Sequence, residues 1–123
     1  MVTKSSPWSV DETVARLEGV LAARGVKLFA VIDHGGEAAA GLELRDTKVV
    51  IFGNPAAGTP VMQAAPLAAL DLPLRVLVWA DGDHTRIDYA SPAELAARYD
   101  LSEALAARLA AVDAVTEAVV SPG

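Results

Sequence analysis

The apolar residues of this chain recur with two periods, and each period predicts its own kind of element. Between residues 10 and 24, Val10, Val14, Leu17 and Leu21 fall on one side of a helix, so that side is expected to be buried. Ser9 followed by Glu12 reads as a capping box, Asp11 and Glu12 place acids in the first turn, and Gly25 closes the segment. Ser91-Pro92-Ala93-Glu94 is a second capping box with proline at the first helical position, predicting a helix to about Tyr99. Asp100 or Ser102 caps the next one, and Leu105, Leu109, Val112, Thr116 and Val119 form a stripe down a last helix that ends before Ser121.

Strands are predicted where the period shortens or the apolar run is unbroken. Val2 to Ser5 is a short first strand, and Lys27 to Asp33, apolar in its middle, reads as a central strand. Thr47 to Phe52 is a second buried strand. Leu74 to Ala80 and Thr85 to Ala90 flank Asp81-Gly82-Asp83-His84, the strongest hairpin signal in the chain, because Asp-Gly supplies the positive φ angles of a tight turn. With a loop of either two or four residues, Leu74, Val76 and Val78 share a face with Thr85, Ile87 and Tyr89, which is expected to be the buried one. A two-residue loop is also expected to pair Arg75 with Asp88 on the surface.

The remaining segments are connections. Gly36 to Gly41 is short and bounded by glycine, which suits a single turn or a short helix. Thr59 as N-cap with Pro60 at the first helical position starts a helix, Pro66 restarts or kinks it before Leu70, and Asp71-Leu72-Pro73 is a linker. The elements add up to one α+β domain over residues 1–123, two layers deep, with helices packed on a largely antiparallel sheet of about five strands.

Composition narrows the function classes. With 53% hydrophobic but only 5% aromatic residues, the core must be built from Val, Leu and Ala. The net charge is −6 and the ten Lys and Arg residues are scattered singly, so the chain lacks the clustered basic face that nucleic acid requires. The absence of cysteine excludes a disulfide, a thiolate nucleophile and a Cys-ligated metal. No apolar run approaches the roughly 20 residues of a membrane span and the N-terminus has no apolar leader segment, so a cytoplasmic location is expected.

Candidate chemistry gathers at the run from Val49 to Pro60, where a buried strand ends in a Gly/Asn/Pro loop and feeds a helix start. Such a junction is expected to leave backbone N–H groups pointing into a cleft. Asn54 tolerates unusual backbone angles, Pro55 stiffens the loop and Gly58 lets a ligand approach, so Gly53, Asn54, Pro55, Gly58 and Thr59 are the ligand-binding candidates. A carboxylate or small anion fits this reading, although the run is no Walker loop, since the Gly-Lys-Thr signature is missing. The alternative is a strand-to-helix turn whose residues serve geometry alone.

The two histidines each follow an acid. His34 with Asp33 is the candidate catalytic pair, because imidazole transfers protons near neutral pH and a carboxylate fixes its tautomer. Successive strand residues point to opposite faces, however, so a strand-terminal His34 bonded to a loop carbonyl is the plainer reading. His84 reads as a solvated turn residue. No metal is expected, because His34, His84, Asp33, Asp81 and Asp83 lack ligand spacing, and no serine lies in a nucleophile elbow. Trp79 falls on the face opposite Val76 and Val78, at a pocket rim or under a partner subunit.

Ile32-Asp33-His34, Gly41-Leu42-Glu43-Leu44, Ile51-Phe52-Gly53-Asn54-Pro55 with Gly58-Thr59, and Leu72-Pro73-Leu74-Arg75-Val76-Leu77-Val78-Trp79 with Tyr89 together resemble the family catalogued as domain of unknown function 302. The resemblance runs from Val2 to Tyr99. It implies helices on a largely antiparallel sheet and a homodimer, with no assigned activity; His84 departs from the family pattern, which has a merely polar turn there, and no cofactor is expected. The leading expectation is therefore a cytoplasmic homodimer that binds or senses a small ligand, an anion among the candidates, beside Asn54 to Thr59 with His34 on the cleft wall. Two rivals remain: an enzyme using His34 as general acid or base with Asp33, Glu37 or Glu43 nearby, and a protein interaction module whose dimer face carries Trp79.

Overall fold

The alternation read from the hairpin is realised as a register. In the computed structural model, which describes residues 1–36 and 41–121, the elements run β1 (Val2–Ser6), α1 (Val10–Ala23), β2 (Lys27–Asp33), β3 (Thr47–Gly53), α2 (Pro55–Ala64), a 3-10 helix (Pro66–Asp71), β4 (Leu74–Asp81), β5 (His84–Tyr89), α3 (Pro92–Tyr99), α4 (Glu103–Ala107) and α5 (Ala111–Val120). The strands form one antiparallel sheet in the order β1-β5-β4-β3-β2. Asp81 opposes His84, so the hairpin loop is Gly82-Asp83, with Gly82 at φ +60 in the conformation that glycine adopts without strain.

That register buries Leu74, Val76, Val78, Thr85, Ile87 and Tyr89 together, as their parity requires. Val50 and Phe52 of β3 lie on the same face through their pairing with Val76 and Leu74. Leu17 and Leu21 of α1 and Val112, Val115 and Val119 of α5 belong to the same core cluster. The opposite face of the sheet carries Val49, Ile51, Leu77 and Trp79, each half-buried. There the Trp79 indole donates to Asp88 Oδ2 at 2.7 Å, and the Arg45 guanidinium stands 5.7 Å from its ring.

The caps follow the sequence closely. Ser9 accepts from the Glu12 N–H, Ser91 and Glu94 form the full reciprocal box, and Ser102 rather than Asp100 caps α4. Asp100 instead ends α3 in the left-handed region. The stripe from Leu105 to Val119 is divided between α4 and α5. The turn expected over Gly36 to Gly41 lies largely outside the described residues, as Glu37 to Ala40 are not among them.

Two expectations are corrected. The β2 strand is an edge, not a central strand: Leu28, Phe29, Val31 and Ile32 are 36–43% exposed. An apolar run records that a strand is hydrophobic but not how many neighbours it has, and here β3 is its only partner among the described residues. The pairing of Arg75 with Asp88 also fails, because the register sets Asp88 opposite Leu77 and Arg75 turns to Asp71 at 2.9 Å.

Candidate functional site

The β3 strand passes into α2 with no intervening loop. Phe52 is wholly buried, Gly53 ends the strand, and Asn54 is the N-cap, its Oδ1 accepting from the Ala56 N–H at 3.0 Å with Pro55 at the first helical position. Thr59 and Pro60, expected to start this helix, lie inside it. Asn54-Pro55 and Thr59-Pro60 both satisfy the cap-then-proline pattern, and the earlier one prevails because the strand ends there. Pro60 lacks the N–H that Ala56's carbonyl would receive, a loss that falls at an exposed residue.

A cavity of about 430 Å³ opens at this junction, and all five ligand candidates, Gly53, Asn54, Pro55, Gly58 and Thr59, line it. Leu72 and Pro73 after the 3-10 helix form another side, and Arg108 and Leu109 at the α4–α5 joint a third. Phe29 completes the wall. The β2–β3 register slips between Leu28 and Ala30, leaving Phe29 as the extra residue of a bulge, a device that re-aims a side chain.

The donors expected in the cleft are spent. Besides Ala56, the N–H groups of Ala57 and Gly58 both bond to the Asn54 carbonyl at 2.9 Å, and Pro55 has none to offer. The first turn of α2 therefore presents no free amide to an anion. Arg108 is the one charged residue lining the cavity among the described residues.

His34 is not part of this site. Its backbone N–H donates to the Thr47 carbonyl at 2.9 Å, so it lies beside the start of β3, while the cavity lies at the end, roughly 20 Å of strand away. Its side chain is exposed, and Asp33 accepts instead from the Gly36 N–H at 2.9 Å, closing the turn after β2. The geometry thus withdraws His34 from the cleft wall. It also leaves the acid–base pair without mutual contact among the described residues; Glu43 is exposed, and Glu37 lies outside them. His84 is exposed in the hairpin, and no three metal-ligating side chains gather among the described residues.

Two residues matter that the sequence reading passed over. Asp71, taken as linker, accepts from Arg75, Arg98 and the Tyr99 hydroxyl, and fastens the 3-10 helix that leads into Leu72 and Pro73. The Tyr99 hydrogen bond first, then Arg98, holds its carboxyl below the usual carboxylate range against the opposing effect of burial. No local pattern signals a partner this distant. Arg108 had a faint signal, a cation beside the apolar stripe of Leu105 and Leu109.

The architecture is a small α+β domain with an apolar cavity at a strand-to-helix junction. The chain belongs to the family described as "Domain of unknown function DUF302", whose profile matches residues 2–119. A crystal structure of an uncharacterized conserved protein DUF302 from Bacillus stearothermophilus superposes with a TM-score of 0.80 at 21% identity, covering 97% of this chain and 94% of that one, which shows the shared fold. The chain is also 42% identical over 103 residues to proteins named fluoride-specific ion channel FluC 1 in Brucella suis and in Brucella abortus. The match takes in 82% of this chain but 41% and 38% of those proteins, so the chain spans about two fifths of their length. Among the described residues no helix is long and apolar enough to cross a membrane.

Proposed function

We propose that this chain is a small-molecule binding or sensing module that works as a cytoplasmic homodimer, its ligand held in the cavity at the β3–α2 junction. The cavity carries the reading: about 430 Å³ lies within the roughly 300–1,000 Å³ typical of small-molecule sites. Its wall is apolar apart from Asn54, Thr59, Arg108 and backbone. Catalysis of acyl, glycosyl or proton transfer calls for a nucleophile with a base, or for paired carboxyls, and the described wall supplies neither. That favours binding. The exposed apolar edge of β2 and the uncovered outer sheet face support self-association.

The test is a thermal-shift screen of metabolites on the natural chain and on Gly58→Leu. A Cβ at Gly58 meets only Met62 Cε at 4.0 Å, so leucine there grows into the cavity without disturbing the helix. Ligands that stabilise the natural chain and fail on Gly58→Leu are the expected result. A screen with no hits, or with hits that stabilise both equally, ends the reading.

The fluoride-channel relatives favour a second reading, in which the domain serves a membrane channel. A chain like this one occupies about two fifths of their length, and its ligand state would then bias a channel carried elsewhere in the same or a partner polypeptide. Deleting the gene is expected to lower fluoride tolerance, restored by the natural chain and not by Gly58→Leu. Unchanged tolerance on deletion removes this reading.

A further inference from the structure

We infer that the cavity receives a monocarboxylate with an apolar tail, its carboxylate held by Arg108. The inference rests on the binding reading above and adds the class of ligand. Three observations carry it. The helix entrance cannot hold the anion, because Asn54 has already taken the first-turn amides of α2. Arg108 is the only charged residue on the described wall, and its side chain forms no ion pair or hydrogen bond among the described residues. The chain has 16 acids against ten Lys and Arg, yet no described acid lines this cavity.

A second cation reinforces the local sign. Lys27 Nζ stands 4.8 Å from the centroid of Phe29, itself part of the wall. The described wall thus carries one cation, Arg108, and no acid, with Lys27 against one of its rings, on a protein of net charge −6, a balance that favours an anion there. One planar guanidinium matches one carboxylate through two parallel hydrogen bonds. A phosphate ester would need the backbone amides that Asn54 occupies. Apart from the Asn54 amide and the Thr59 hydroxyl, the remaining side chains, Phe52, Met62, Leu72 and Leu109 among them, have only apolar contact to offer, which assigns most of the rest of the ligand to hydrocarbon.

Calorimetric titration with hexanoate, octanoate and octanol tests this on the natural chain, Arg108→Gln and Gly58→Leu. Octanoate is expected to bind the natural chain more tightly than octanol. Each methylene added between hexanoate and octanoate is expected to tighten binding about fourfold. Arg108→Gln is expected to weaken octanoate about tenfold and to change octanol less than about twofold. Gly58→Leu is expected to abolish both. Equal affinity for octanoate and octanol, or an Arg108→Gln variant that holds octanoate as well as the natural chain, overturns the carboxylate assignment while leaving the cavity a binding site. Failure of all three probes on the natural chain also overturns it, and the metabolite screen then decides the binding reading separately.

Discussion

Asp71 accepts a hydrogen bond from Arg98 Nη1 at 2.7 Å, joining the 3-10 helix to α3. With Arg75 and Tyr99 on the same carboxylate, this contact holds from outside the segment that leads into Leu72 and Pro73 on the cavity wall. The carboxyl titrates below its ordinary value in the folded chain. Its contribution is therefore complete above the unfolded-state pKa of about 3.9 and is lost as pH falls through the lower folded value. Asp71→Asn is expected to cost about 1–2 kcal/mol near neutral pH. In urea titrations from about pH 5 to pH 2 the variant should lose less stability than the natural chain, and parallel acid limbs would show that the carboxylate contributes nothing.

The hairpin shows why much of the fold was legible in the sequence. Parity in β4 and β5 depends on nearest neighbours along the chain, so Val76, Val78, Ile87 and Tyr89 could be assigned to one face before any register was known. The caps at Ser9, Ser91 and Ser102 are local in the same sense. Strand order is not: β2 has the apolar run of a central strand, and only the return of the chain into β3 makes it an edge. The candidate site was half legible. Gly53 to Pro55 and Ala57 to Thr59 line the cavity, as neighbours along the chain can, whereas Arg108 arrives from the α4–α5 joint and His34 departs to the far end of β3 by tertiary placement alone.

The start of α2 separates two similar residues. Asn54 supplies the capping oxygen, while Thr59 sits within the helix with its side chain exposed. Asn54→Ala is expected to destabilise by about 1 kcal/mol through the lost cap. Thr59→Ala is expected to stay within about 0.5 kcal/mol of the natural chain. Equal losses in chemical denaturation would return the helix start to Thr59.

Two glycines on the same wall are expected to respond oppositely to a methyl group. A Cβ at Gly53 would stand 3.3 Å from Pro73 Cβ, where a buried strand end meets a rigid ring, whereas one at Gly58, inside a helix, meets only the end of the flexible Met62 side chain at 4.0 Å, an ordinary contact. Gly53→Ala should destabilise by about 1–2 kcal/mol. Gly58→Ala should stabilise by about 0.5–1 kcal/mol, because alanine loses less backbone entropy in a helix. Thermal melts of the two variants decide it, and a Gly53→Ala chain as stable as the natural one would mean that Pro73 moves aside.

The edge strand sets the expectation for the proposed homodimer. Only the terminal Lys27 and Asp33 of β2 are charged and the strand has no proline, so its middle, Leu28 to Ile32, lacks two of the devices that keep an edge from pairing with another chain. The bulge at Phe29 leaves Ala30 to Asp33 as its regular part, and Ile32, opposite Val49, adds exposed apolar surface on the outer sheet face. Lysine at Ile32 would make pairing at this edge bury a charge while leaving the core untouched. Light scattering is therefore expected to give a dimer for the natural chain and a monomer for Ile32→Lys, with folding stability lowered by no more than about 1 kcal/mol. A variant that keeps the natural mass would move the interface away from β2. A natural chain that stays monomeric at high concentration would remove the homodimer.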